Sequence, residues 1–140
     1  MGKMKLVLTM ILVAAVMLGA ESSYASDFVG SQSGSIGNCQ ISAQNRITEN
    51  MRTASATTNI SGAQYGTAVS VSATFYFIGV SGEDVGVSGS YRGGSDGQYG
   101  AVFSKNVPNE NYRFYRAESS HYASYQGTSF TVPSIVTHIP

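Results

Sequence analysis

Charge is scarce in this sequence. Only 11 % of its 140 residues are charged, eight acidic against eight basic, and the formal net charge is zero. That is less than half the charged fraction of an ordinary soluble domain. So flat a balance excludes the basic stripe that grips nucleic acid and the polybasic patch that holds anionic lipid. Cysteine is nearly absent as well, Cys39 being the only one. One thiol excludes an internal disulfide and any zinc site built on several thiolates. Tryptophan is missing, proline occurs three times and histidine twice. After residue 25 no helix-length run combines apolar residues at helical spacing with freedom from glycine and proline.

What is present begins with a leader. Lys3 and Lys5 precede an uncharged, mostly apolar run from Leu6 to Ala20, and Ser23 and Ala25 stand at the small-residue positions that a signal peptidase reads. Residues 1–25 are expected to be a cleaved secretory signal peptide of bacterial style. The apolar run is short of the ~20 residues of a membrane span. No cysteine follows it for lipid attachment. Cleavage before Ser26 leaves 115 residues with six basic and seven acidic side chains, enough for one domain. The expected location is secreted, either extracellular or periplasmic. There Cys39 is expected to be a buried small hydrophobe or to pair with a second chain in a Cys39-linked dimer. The sequon Asn59-Ile60-Ser61 matters only in a eukaryotic secretory pathway.

Residues 26–38 are serine- and glycine-rich with few apolar anchors and are expected to form a flexible N-terminal arm. Residues 39–140 are expected to form a single β domain. Cys39, Ile41 and Ala43 alternate as in a strand, while Ile47 and Met51 stand four apart as on a helix. Strand is the favoured reading. The clearest signal is residues 67–80, where Val69, Val71, Ala73, Phe75 and Phe77 alternate with Ser70, Ser72, Thr74 and Tyr76. This period of two in β-branched and aromatic residues predicts a half-buried antiparallel strand whose polar face bears no charge. Further strands are predicted over 85–91, 99–103 and 112–116, and an extended segment starting at Phe130 and ending at Pro133. Turns or connections are predicted over 81–84, 92–97, 106–111 and 119–127. Segments 69–75 and 85–91 echo each other as shared strand chemistry, without the fixed period of a repeat. The expected fold class is all-β, a small antiparallel sandwich or barrel following the signal peptide.

Chemistry is harder to find. His121 and His138 have no partner at metal spacing, and His121 is expected to be an exposed or turn histidine. There is no nucleophile elbow and no H-E-x-x-H. Glu83, Asp84 and Asp96 lack the ligand ladder of a calcium loop. Glu110 and Glu118 flank a strand, with nothing to mark them as a carboxylate pair across a cleft. The glycines at 93, 94 and 97 read as turn glycines, not as a phosphate loop. No catalytic residue, cofactor or metal is therefore assigned. The most unusual composition lies in 112–125, YRFYRAESSHYASY. Tyrosine and arginine favour interfaces, and tyrosine also stacks on sugar rings. Tyr112, Arg113, Tyr115, Arg116, His121, Tyr122 and Tyr125 form the candidate binding patch. The expected function is non-enzymatic binding at the cell surface or outside it. The partner would be a protein, a glycan such as a wall polymer, or a second copy in a homo-oligomer. The alternative is an exported toxin or bacteriocin-like effector, which alone would involve membrane contact, through an oligomer of strands such as 67–80.

Overall fold

The structure is a computed structural model that describes residues 26–140; the expected signal peptide, residues 1–25, lies outside the described residues. Eight strands follow one another: β1 Phe28–Ile36, β2 Cys39–Ile47, β3 Thr53–Ser61, β4 Thr67–Gly79, β5 Ser88–Gly97, β6 Gly100–Asn106, β7 Tyr112–Tyr125 and β8 Thr128–His138. All their pairings are antiparallel. They form two four-stranded sheets, in the orders β1-β2-β3-β6 and β5-β4-β7-β8, packed face to face. The expected all-β class and antiparallel sandwich are what the chain adopts. Turn chemistry sets the registers. The β7–β8 hairpin closes through two residues, Gln126 and Gly127, both at positive φ. That conformation matches the twist of the flanking strands.

The core follows from period-two alternation. Val69, Val71, Ala73 and Phe75 point inward from β4, with Ile41 and Ile47 from β2 and Phe114 from β7. Phe75 lies at the aromatic end, its ring 5.4 Å from Phe103 and 6.0 Å from Phe114. Each such fully buried aromatic or aliphatic side chain stabilises by about 1.5–3 kcal/mol relative to exposure. Small residues make room for the rings: a Cβ on Gly93 would meet the Phe103 ring at 2.6 Å, and one on Gly89 the Phe77 ring at 2.6 Å. Lys105 caps this end, its ammonium 5.7 Å from the Tyr91 ring centre and 5.8 Å from that of Phe103. Cys39 is wholly buried in the core cluster. A bridge to a second chain would require the thiol to leave the core.

Four segments differ from the sequence expectation. The expected arm contains β1, paired with β2 from Phe28 to Ile36. Its glycines look like linker glycines, yet Gly30 and Gly34 face inward where β8 crosses. A Cβ on Gly30 would meet Thr137 Oγ1 at 2.7 Å, and one on Gly34 would enter the Phe130 ring. The contacts that order this segment come from another strand, so its own sequence shows none. Residues 92–97, expected as a turn, continue β5, and residues 85–87 precede that strand. Residues 119–125, expected as a connection, complete β7. Pro133 does not end β8. It sits where the β7–β8 register breaks, between the pairs Ser119↔Ile135 and His121↔Val132, on an edge strand that has no missing partner to serve.

Gly34→Val should destabilise the protein by about 1–3 kcal/mol through overpacking against Phe130. Ser33→Val, one residue away and outward, should stay within about 0.5 kcal/mol of wild type. Urea denaturation measures both; equal effects would mean that β1 does not close against β8.

Candidate functional site

The outer face of the β5-β4-β7-β8 sheet carries a shallow concave strip on which polar groups converge. β4 runs through its centre and sends Ser70, Ser72, Thr74 and Tyr76 outward. The register places each between two neighbours. Ser70 lies between Asp96 and Tyr122, Ser72 between Gly94 and Ser120, Thr74 between Arg92 and Glu118, and Tyr76 between Ser90 and Arg116. From Ser70 to Tyr76 the strip is about 20 Å long at ordinary strand rise. Serine and glycine in the middle keep the floor low. The result is two shallow depressions, about 350 and 170 Å³, that share Ser72 and Ser120. Tyr122 and Thr131 border the first, and Pro133 and Ser134 border the second.

An aromatic and ionic cluster closes one end of the strip. The β4–β7 register slips between Tyr76 and Phe77, so that Tyr115 is an extra residue in β7. This bulge sets Tyr115 and Arg116 side by side next to Tyr76. The Tyr115 ring lies 6.3 Å from Tyr76 and 6.3 Å from His138. Arg116 lies over the Tyr76 ring at 5.9 Å and pairs with Glu118, which also accepts from Tyr76 Oη at 3.3 Å. Glu118 is thereby held as the partner of two groups, not as a free acid.

The candidate patch read from residues 112–125 is divided between two faces. Tyr112 points inward and donates to Asp84 Oδ1 at 3.1 Å. Burial, then the neighbouring Asp84, pushes its phenol pKa up. Asn111 Nδ2 donates to the same carboxylate at 2.9 Å and holds the Asp84 pKa below its usual value. Tyr125 is partly buried against the core. Arg113 folds back onto the carbonyls of Glu110 and Tyr112, at 2.6 and 2.7 Å. Tyr115 and Arg116 belong to the outer cluster, and Tyr122 stands outward with 41 % exposure.

His121 is neither exposed nor in a turn; it is 2 % exposed, inside the sandwich. Its Nδ1 lies 2.7 Å from Thr58 Oγ1, and its Nε2 lies 2.7 Å from Ser119 Oγ. The neighbours assign the protons. Thr58 gives its single hydroxyl hydrogen to the Ser70 carbonyl at 2.9 Å, so it accepts from Nδ1–H. Burial disfavours a second proton on the ring, so Nε2 is an acceptor, and Ser119, which accepts from Asn45 Nδ2 at 2.9 Å, donates to it. Asn45 also donates to the Ile135 carbonyl at 2.8 Å and accepts from Thr137 Oγ1. The chain Thr137–Asn45–Ser119–His121–Thr58–Ser70 is thus satisfied only with a neutral imidazole. Burial lowers the His121 pKa from 6.5 to about 4, against a smaller upward effect of a backbone hydrogen bond at Thr57. The chain ends beneath the floor of the strip, at the backbone of Ser70.

The sequence pointed to the uncharged hydroxyl face of β4 but not to its neighbours. Arg92, Gly94 and Asp96 fall in the segment read as a turn, and Ser120 in the segment read as a connection, whereas Thr131 falls in the extended segment from Phe130 to Pro133. The available signal was the alternation itself, which runs unbroken through Ser88, Ser90, Arg92, Gly94 and Asp96. Among the described residues, no three His, Cys, Asp or Glu side chains come together to hold a metal ion.

The unfolded chain takes a proton on His121 near pH 6.5, the folded protein only near 4. Stability present above pH 6.5 should therefore fall as pH drops towards 4, by about 2–3 kcal/mol from this group. His121→Gln should be less stable at neutral pH yet lose less on acidification. Urea denaturation of both proteins from about pH 7 to about pH 4 measures the difference; parallel curves would refute the assignment. No protein-family model and no curated protein matches this chain.

Proposed function

We propose that the protein is an exported, non-catalytic binding domain that holds a neutral, hydroxyl-rich polymer, a segment of wall or extracellular polysaccharide, along the outer face of the β5-β4-β7-β8 sheet. The observation that carries this reading is the hydroxyl-lined strip. Its floor of Ser70, Ser72 and Ser120 offers small donors and acceptors at strand spacing. The exposed Tyr122 at its rim supplies an apolar face with a polar tip, suited to stacking on a sugar ring. A protein partner would call for a buried apolar anchor pocket at the centre, and the strip has serine there instead. An anionic or cationic polymer would call for charge of one sign, whereas Arg92 stands across β4 from Glu118, and Arg116 is paired with Glu118. The leader before Ser26 supports export to where such polymers occur.

The mature chain should be retained by at least one uncharged polysaccharide in affinity electrophoresis. Tyr122→Ala should weaken that retention about tenfold, equivalent to ~1.4 kcal/mol, with no change in melting temperature. Failure of every uncharged polysaccharide to retain the protein, or equal retention of Tyr122→Ala, would overturn the reading. Dye release from lipid vesicles accompanied by a large oligomer would favour the membrane-active effector instead.

A further inference from the structure

His121 is the one ionisable side chain of the buried line, and it sits where its sheet is least tightly tied. On β7 it stands between Ser120 and Tyr122, part of the floor and rim of the strip, and it borders the depression of about 350 Å³ from beneath. Beside it the β7–β8 register breaks. Ser119 pairs with Ile135 and His121 with Val132, so Ser120 faces two residues of β8, Pro133 and Ser134. Pro133 has no N–H to give to β7. A bulge of this kind is where a side chain is re-aimed or pairing gives way. The side chains facing the ring are Thr58 of β3, Val71 of β4, Ser119 of its own strand and Val132 of β8, with Asn45 of β2 behind Ser119. None of them ionises. The charges nearest in register stand on the other side of the sheet. Asp96 lies across Ser70 in the same depression, while Arg92 and Glu118 flank Thr74, and Arg116 pairs with Glu118.

A proton from solvent has one place to go on this ring, the Nε2 lone pair. The N–H it creates points at the hydrogen that Ser119 donates. Ser119 can turn and accept, but its own hydrogen then finds no acceptor in the line, because Asn45 Nδ2 approaches as a donor. The line is broken at Ser119, around an imidazolium that no carboxylate reaches from within. A buried charge without a partner is driven towards water or a counter-ion. Both lie through the floor, in the depression that holds Asp96. We infer that His121 is an acid-sensitive latch beneath the strip: taking a proton, it leaves the buried line at the β7–β8 bulge, displaces Ser120 and Tyr122, and releases the bound polymer. Release rests on the ligand class proposed for the strip; the latch itself does not. Burial lowers the His121 pKa to about 4, so the site holds at neutral pH and opens only in acid. The coupling is reciprocal: a polymer that covers the floor keeps the ring inside and lowers its pKa further.

NMR of the mature chain from about pH 7 to about pH 3.5 reads the latch without a ligand. The amide signals of Ser70, Ser120 and Tyr122 should move together with the His121 ring, around pH 4. Those of Ser33 and Ser42 on the other sheet should stay in place, and near-ultraviolet circular dichroism should stay native. Ser119→Ala, which removes the donor to Nε2, should raise the His121 midpoint by about half a unit to one unit. Binding to insoluble neutral β-glucan particles should fall about fourfold between about pH 7 and about pH 3.5, following the fraction of protein with a neutral His121. His121→Gln should bind equally at both. Parallel binding curves for wild type and His121→Gln, strip amides that ignore the His121 titration, or loss of native circular dichroism at the pH of release would each overturn the latch and leave the strip standing. If His121→Gln does not fold, Ser119→Ala decides: its binding should be lost at a correspondingly higher pH, and an unmoved curve would overturn the latch. Absence of particle binding at every pH, with the NMR changes intact, would overturn release and leave the latch standing.

Discussion

A line of buried hydrogen bonds runs through the middle of the sandwich, and the rest of the structure is arranged around satisfying it. Thr137 on β8 donates to Asn45 on β2. Asn45 donates to Ser119, and the line continues through His121 and Thr58 to the carbonyl of Ser70. Every side chain in it is buried. A buried polar group without a partner costs about 1–3 kcal/mol, so each member constrains the next. Together they tie five strands from both sheets into one relative position. Apolar packing alone is non-directional and tolerates sliding; a line of directed bonds does not.

The same chemistry explains the scarcity of charge. Hydroxyl and amide side chains do inside this protein what ion pairs do in others, and they also line the middle of the β4 outer face. Inside, they must be complete, which holds His121 neutral and fixes its tautomer. Outside, they are left open to solvent. Ser70 joins the two settings: its carbonyl receives the end of the buried line, and its side chain faces the strip. The aromatic end of the core supplies the packing that the small polar residues cannot. There Phe75, Phe77, Phe103 and Phe114 interlock over inward glycines.

The parts of the fold that could be read from the chain were those whose order is local. β4 announces itself because its own residues alternate between core and surface. The all-β class follows from the same rule. Where order comes from elsewhere, the reading failed. β1 is ordered by β2 and by the side chains of β8, so it resembles a linker. The glycines at 93 and 94 resemble a turn, because the reason for Gly93 is the ring of Phe103 on the next strand. Three of the seven candidate-patch residues, Tyr112, His121 and Tyr125, turn inward for a similar reason. Composition along 112–125 says tyrosine and arginine, but strand alternation and one bulge decide which of them face outward.

The sequence by itself determined the class of structure: an antiparallel β protein with little charge, no internal disulfide and a hydroxyl-bearing face on one strand. These follow from composition and from a period of two, both of which are properties of neighbouring residues. Only the tertiary structure decided that residues 26–38 join a sheet, that His121 is an interior, neutral member of a hydrogen-bonded line, and that Ser70, Ser72 and Ser120 form one floor. Those outcomes depend on pairs of residues up to 92 positions apart, as for Thr137 and Asn45. Burial and pairing at that separation are set by how the two sheets meet, and no local pattern encodes it.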